Sequence, residues 1–245
     1  MTLIWTAMMI DKKYKHIYGP VGSWRLGRSL GIDLIFSDDK ICTFDCVYCQ
    51  VGKIAALSDK REIFVSAAEI IKEIKSLPPL KIDYITFSGR GEPTLAKNLG
   101  EVIREIRKIR DEKIAVITNA SLIDRKDVQD DLALADFVML KLDAPSQELF
   151  LKINQPIKNT ELNKILKGIK EFKLKYKGKL ALQLMFIEEN KGLAQELARL
   201  AKDIGPDEVQ INTPLRLCDI TPLSKKEIDA IKLHFKGMKV VSVYD

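Results

Sequence analysis

No apolar run in this 245-residue chain approaches the roughly 20 residues that a membrane-crossing helix needs. Met1 to Ile10 is apolar, yet it lacks a basic stretch and a small-residue cleavage site, and Asp11, Lys12 and Lys13 follow at once, so it does not read as a signal peptide. Cysteine is scarce. There are four, three of them within eight residues, which fits a metal site in a reducing compartment better than a disulfide framework in a chain this long. The expected location is therefore the cytoplasm. Linkers, low-complexity tracts and short-period repeats are also missing. A chain with 46% hydrophobic residues is long enough to bury one substantial core, so a single domain over residues 1–245 is expected.

Neither sign of charge dominates. Forty Lys+Arg against 34 Asp+Glu leave +6, which is compatible with a polyanionic partner without requiring one. Lys164, Lys167, Lys170 and Lys173 step by three and walk around a helix, as solvating residues do, whereas a nucleic-acid patch gathers on one side.

What the chain does contain is an alternation of short β-branched runs with amphipathic stretches, the pattern of repeated βα units on a parallel sheet. Strands are expected at about residues 30–36, 82–87, 113–118, 137–142, 180–187, 208–212 and 239–243. Helical stripes lie between them: Ile70, Ile71, Ile74 and Leu77; Leu99, Val102, Ile103 and Ile106; Leu162, Ile165, Leu166, Ile169 and Phe172; Leu193, Leu197 and Leu200. Ser66 with Glu69 and Ser224 with Glu227 fit capping boxes, and Pro78-Pro79 closes the first helix. The polar segments fall just after the strands: the cysteine cluster, Gly89 to Pro93, Asn119, Asp143, Glu188 to Asn190, and Asn212 to Arg216. In a βα barrel those strand ends form the active-site face, so the segments are expected to converge.

Cys42, Cys46 and Cys49 place three thiols on one short loop that can wrap a single iron-sulfur cluster. Such clusters normally take four thiolates, so a compact set of three implies one iron with an exchangeable position. A zinc site completed by Cys218, His16 or His234 is the competing reading. Gly89-Arg90-Gly91-Glu92-Pro93 reads either as an ordinary strand-to-helix turn or as a loop whose glycines let backbone approach a ligand. Asn119 and Asp143 read as helix caps or as ligand contacts. Arg216 faces the expected substrate end, where it suits a phosphate or carboxylate or a surface salt bridge, and Cys218 reads best as a small buried residue.

The Cys-x3-Cys-x2-Cys spacing, with Tyr48 as the aromatic before the last cysteine and Gly-x-Gly-Glu-Pro after the next strand, resembles the radical S-adenosylmethionine (SAM) superfamily. The resemblance implies an α/β fold, a parallel (βα) partial TIM barrel of about six to seven strands, with residues 1–28 as an N-terminal extension packing on it. It implies a 4Fe-4S cluster on Cys42, Cys46 and Cys49, with SAM chelating the open iron. Reductive cleavage would release methionine and a 5′-deoxyadenosyl radical that abstracts hydrogen from substrate. By the same resemblance Tyr48, Gly89, Gly91, Glu92, Pro93, Asn119, Asp143 and Glu188 would contact SAM, Arg216 the substrate, and a flavodoxin or ferredoxin would donate the electron. Tyr18-Gly19-Pro20, Arg25 to Gly31 and Lys141 to Ala144 are similar to proteins related to wyosine synthases, which modify tRNA, although those carry further cysteines upstream and this chain has none before Cys42. The readings that follow are a single-cluster radical SAM enzyme acting on tRNA or another substrate, an activase that installs a glycyl radical on a protein partner, and a zinc-binding non-enzymatic adaptor.

Overall fold

Residues on the parallel strands alternate between two faces, and almost every outward position is aliphatic or aromatic. In the computed structural model, which describes residues 14–35, 40–52 and 56–245, that alternation builds one curled sheet. The strands are β1 (Ile17–Ser23), β2 (Gly27–Ile32), β3 (Ile41–Cys42), β4 (Ala56–Leu57), β5 (Tyr84–Phe87), β6 (Lys113–Thr118), β7 (Phe137–Lys141), β8 (Lys179–Met185), β9 (Glu208–Asn212) and β10 (Val240–Ser242). The helices are α1 (Ala67–Lys75), α2 (Leu99–Arg107), α3 (Lys126–Leu132), α4 (Gln147–Asn154), α5 (Leu162–Lys175), α6 (Ala194–Ile204) and α7 (Lys225–Lys232). Eight strands run in the order β1-β2-β5-β6-β7-β8-β9-β10, while β3 and β4 pair apart. From β2 to β10 the pairing is parallel throughout, which makes the half-barrel of a partial TIM barrel.

The outward set, including Ile85, Phe87, Ile114, Val116, Val138, Leu140, Leu182, Leu184, Val209 and Ile211, packs with the helical stripes into the main core. Ile70, Val102, Ile103, Ile169, Phe172, Leu197 and Ile231 supply the helix side. The inward set is smaller and mixed. Ala115, Phe137, Met139 and Ala181 close on Leu26 at the base of the concave face, and above them Ser29 and Thr86 share a hydroxyl hydrogen bond of 2.6 Å.

The seven expected strands all occur, and both capping boxes are complete, each serine accepting from the N3 amide while the glutamate accepts from the cap amide. Several boundaries differ, two of them informatively. The strand expected to reach Ile187 ends at Met185, because Asn190 Oδ1 takes the Ile187 amide at 2.8 Å and Asn190 Nδ2 donates to the Asp143 and Met185 carbonyls. The expected first strand, 30–36, is observed over Gly27–Ile32, with residue 36 outside the described residues. Of the segment 1–28 assigned to an extension, residues 1–13 lie outside the described residues, and Ile17–Ser23 enters the sheet as an edge strand antiparallel to β2. The apolar opening Met1 to Ile10 likewise falls outside them. Among the described residues no helix is long and apolar enough to cross a membrane.

Arg61 joins the segment after β4 to the helical layer. Its guanidinium donates to the carbonyls of Thr94 and Ala96 at 2.8 and 2.9 Å, and it pairs with Asp127 and Asp131 at 2.8 and 2.5 Å, its side chain only 4% exposed. Removing a buried charge that four acceptors rely on leaves them unpaired. Arg61→Met is expected to cost about 3 kcal/mol in urea unfolding, whereas Arg28→Met, which breaks the surface pair with Asp83, should leave the midpoint near that of the parent. Equal losses from the two variants would remove Arg61 as a clamp.

Candidate active site at the C-terminal strand ends

The cysteine loop is fastened by backbone bonds to the chain leaving α4. The amides of Asp45 and Val47 donate to the Gln155 and Ile153 carbonyls, both at 3.0 Å, and the Ile157 amide donates to the Thr43 carbonyl at 2.9 Å. Phe44 meets the Phe150 ring edge-on at 5.2 Å. Loop and helix end are thus one surface, built before any side chain of the motif is considered.

Tyr48 then turns inward to Asp143, just past the end of β7. Its hydroxyl donates to Asp143 Oδ2, which also accepts from Asn154 Nδ2 at 2.9 Å. The other oxygen, Oδ1, accepts the Met185 amide at 2.8 Å and lies 3.6 Å from Lys141 Nζ. Lys141 also sits over the Tyr48 ring at 4.9 Å. Asp143 is 3% exposed and both of its oxygens are engaged, so its carboxylate ties the cysteine loop to β8. Burial, followed by the charge of Asp143, pushes the Tyr48 hydroxyl well above the usual phenol range and keeps it a donor.

Each cysteine sulfur meets one nitrogen donor from outside the motif. Lys40 Nζ lies 2.9 Å from Cys49 Sγ and also donates to the Gly52 carbonyl at 2.9 Å. Asn154 Nδ2 is 3.5 Å from Cys46 Sγ, and Asn119 Nδ2 is 3.7 Å from Cys42 Sγ while donating to Thr43 Oγ1 at 2.6 Å. Burial and then Glu92 raise the Cys42 thiol to about 12; burial and then Asp143 raise Cys46 to about 11, against the pull of Asn154. Thiols held protonated in this way are poor nucleophiles, and a metal cation is what would draw their protons off.

Glu92 is 2% exposed and acts as a bracket between two strand ends. It accepts from the Thr94 amide and hydroxyl at 3.0 and 2.7 Å, from the Thr118 hydroxyl at 2.5 Å and from the Asn119 amide at 2.7 Å. Enclosure raises its carboxyl pKa and these donors oppose the shift. Pro93 opens the short 3-10 turn that follows. The glycines beside it are set by close packing: a Cβ at Gly89 would enter the carboxylate of Asp33, and one at Gly91 would enter the backbone oxygen of Ile41, one residue before Cys42.

The structure therefore gathers Cys42, Cys46, Cys49, Tyr48, Gly91, Glu92, Asn119 and Asp143 around one end of the barrel. Arg216 stands on the loop after β9, where the Gln50 side-chain amide donates to the Arg216 carbonyl at 3.5 Å, placing that loop against the residue next to Cys49. Glu188 is not brought in; its side chain is 74% exposed and pairs with Lys191 at 2.7 Å, because Asn190 bends the chain outward after Met185. Lys40, Asn154 and Asp33 are site residues that the sequence did not single out. Only Lys40 carried a signal, its place two residues before Cys42.

Three cysteines on one loop thus stand above the strand ends of a parallel half-barrel. The chain belongs to the radical SAM superfamily, whose family model matches residues 40–201. It is 45% identical over 213 residues to a UPF0026 protein of Synechocystis sp., covering 84% of this chain and 78% of that one. A UPF0026 protein of Methanocaldococcus jannaschii is 39% identical over 223 residues, covering 88% of this chain and 67% of the relative. Among solved structures, Streptococcus suis SuiB bound to S-adenosylmethionine shares the fold at a TM-score of 0.60 and 16% identity, over 86% of this chain and 50% of that protein. The chain thus spans half the length of that structure.

The hub at Asp143 makes a measurable demand. Asp143→Ala leaves Tyr48, Asn154 and the Met185 amide without their acceptor and should cost about 3 kcal/mol in urea unfolding, while Tyr48→Phe, which removes one donor, should cost about 1. If the two variants lose the same amount, Asp143 does not organise the loop.

Proposed function

We propose that this protein is a radical SAM enzyme in which Cys42, Cys46 and Cys49 hold a 4Fe-4S cluster with one open iron for SAM. The observation that carries this reading is the trio of nitrogen donors, one to each motif sulfur, from Lys40, Asn119 and Asn154. When bound, the reduced cluster would supply one electron to the sulfonium of SAM, whose bond from sulfur to C5′ would break to give methionine and a 5′-deoxyadenosyl radical for hydrogen abstraction.

The chain's own residues have separate tasks in this reading. Lys40, Asn119 and Asn154 stabilise negative charge on the sulfurs, which favours the reduced form. Tyr48 and Asp143 fix the loop so that the sulfurs stay in place when the metal is absent or present. Glu92 spends its carboxylate on Thr94, Thr118 and Asn119, and so holds rigid the turn whose backbone would face the amino group of SAM. Met185, Ile153 and Ile187 form an apolar cluster with Tyr48, against which Cys46 packs, and this keeps water from that side. A small electron-transfer protein such as flavodoxin or ferredoxin is the expected reductant, and tRNA is the macromolecular substrate to test first.

Under anaerobic conditions with dithionite, the reconstituted protein should release 5′-deoxyadenosine from SAM, quantified chromatographically. Cys46→Ala should lose cluster iron and sulfide, and Cys218→Ala should keep them; equal losses would mean four thiolates and no open iron. Lys40→Met should retain iron yet show a more negative potential in an EPR-monitored redox titration, because a cation and an N–H···S bond to the reduced cluster are gone. A reconstituted, reduced protein that yields no 5′-deoxyadenosine would sink the radical SAM reading.

A further inference from the structure

The lumen of the half-barrel holds a cation that the fold does not neutralise. The turn between β1 and β2, Trp24 to Leu26, folds into the concave face: Leu26 is 3% exposed and packs on Ala115, Phe137, Met139 and Ala181. This turn lies at the lower end, where β2 begins. Arg25, next to Leu26, nevertheless lies close enough to feel the charges of Arg216, on the loop beyond the upper end of β9, and of Tyr18. Tyr18 packs its ring over Gly31 and sets its hydroxyl 2.6 Å from Ser88 Oγ, at the upper end of β2 and β5. The Arg25 side chain therefore extends up the lumen toward the cysteine loop.

Its surroundings are those of a charge waiting for a partner. Arg25 Nε is fully enclosed and has no hydrogen-bond partner, and the guanidinium lies over the Trp24 ring at 5.1 Å. Enclosure, then the nearby Arg216, lower its pKa to about 10, and no carboxylate is among the groups that act on it. Two further enclosed atoms of the same concave face lack partners: Gln183 Nε2 and Gln210 Oε1, on residues that sit side by side in the β8–β9 register. Gln183 follows Ala181 by two residues, which puts it on the inward side of the strand. A half-buried cation with an enclosed, unpaired Nε and unpaired amide atoms each cost free energy that a folded chain retains where a ligand returns it.

We propose that the lumen binds an oxyanion, a phosphate or carboxylate group of the substrate, with Arg25 as its counter-ion, Gln183 Nε2 as a further donor, and Gln210 Oε1 as the acceptor for a hydroxyl or N–H elsewhere on the same substrate. The inference rests on the radical SAM reading only in taking this lumen as the place where substrate meets the cysteine loop. A guanidinium suits the task because its fork pairs with two oxygens of one oxyanion. The source is either a small phosphorylated or carboxylated molecule or the backbone of an RNA, and the two are separable by experiment.

The probe is inorganic phosphate, added to the reconstituted protein against chloride at matched ionic strength, with thermal unfolding and calorimetric titration as readouts. Phosphate should raise the melting temperature of the parent, and Arg25→Gln should weaken phosphate binding roughly tenfold or more. Arg25→Met, which keeps the aliphatic stem, should be more stable than the parent in chloride, because a half-buried cation with an unpaired Nε has been removed. A parent indifferent to phosphate, an Arg25→Gln protein that binds phosphate as the parent does, or an Arg25→Met protein that is less stable or fails to fold overturns the proposal. In a parallel arm with bulk tRNA, binding that phosphate displaces and Arg25→Gln abolishes assigns the oxyanion to RNA; phosphate binding without such an effect assigns it to a small molecule. These are equilibrium measurements, so a parent that binds phosphate but forms no 5′-deoxyadenosine overturns the radical chemistry and leaves the anion site standing.

Discussion

The carboxylate of Asp143 is the constraint on which the site depends. A loop of cysteines has little structure of its own, and the segment from Thr43 to Cys49 is extended chain and turns. Three separate elements reach Asp143: the cysteine loop through Tyr48, α4 through Asn154, and β8 through the Met185 amide. A buried carboxylate with unmet lone pairs costs several kcal/mol, so these donors and their acceptor enforce one another. The loop position is therefore decided by the sheet, because Asp143 follows directly on β7 and Met185 ends β8. A rigid strand end thus dictates where a flexible loop places its sulfurs.

Charge around the sulfurs follows a second rule. Burial makes bare thiolates unfavourable at Cys42 and Cys46, and Glu92 and Asp143 make them more so. The protein counters with donors that carry full or partial positive charge, namely Lys40, Asn119 and Asn154. Such an arrangement tolerates negative sulfur only when a cation is present as well, which ties metal retention to the integrity of the whole pocket and not to the cysteines alone.

The parallel sheet was legible in the sequence because its outward faces are apolar at every second residue, as at Val138, Leu140 and Leu142 and at Leu180, Leu182 and Leu184. The cysteine spacing was legible because the chemistry of a cluster demands it. Less could be read where long-range partners decide. Asp143 could be a cap, a ribose contact or a hub, and only the approach of Tyr48, 95 residues away, distinguishes them. Asn154 lies in a helix of eight residues whose apolar stripe is short, so no periodicity announced it. Glu188 was read as facing the site because β8 was expected to continue, and the side chain of Asn190 ends the ladder first. Gly89 and Gly91 read equally as turn residues or as a close approach to a ligand, and on the side where a Cβ would stand they pack against Asp33 and the Ile41 backbone. Sequence shows that these positions require glycine, but not which neighbour requires it.

The edge strand β1 explains why the lumen is both filled and charged. A half-barrel leaves its first parallel strand unpaired on one side, and β1 covers that edge by antiparallel pairing, with Pro20 contributing no donor to the outside. An antiparallel edge needs a tight turn back into β2, and that turn must lie at the lower mouth of the barrel. Leu26 then closes the base with apolar contacts, as the small inward residues Ala115 and Ala181 permit. Arg25, one residue earlier, is held beside it with its Nε enclosed and its guanidinium over the Trp24 ring. One device therefore seals the edge of the sheet, plugs the bottom of the barrel and sends a guanidinium up toward the reactive end. The cost of holding that charge there is offset by the burial of Leu26 beside it, so removing Leu26 should loosen Arg25 as well and couple the packing at the base to events at the mouth.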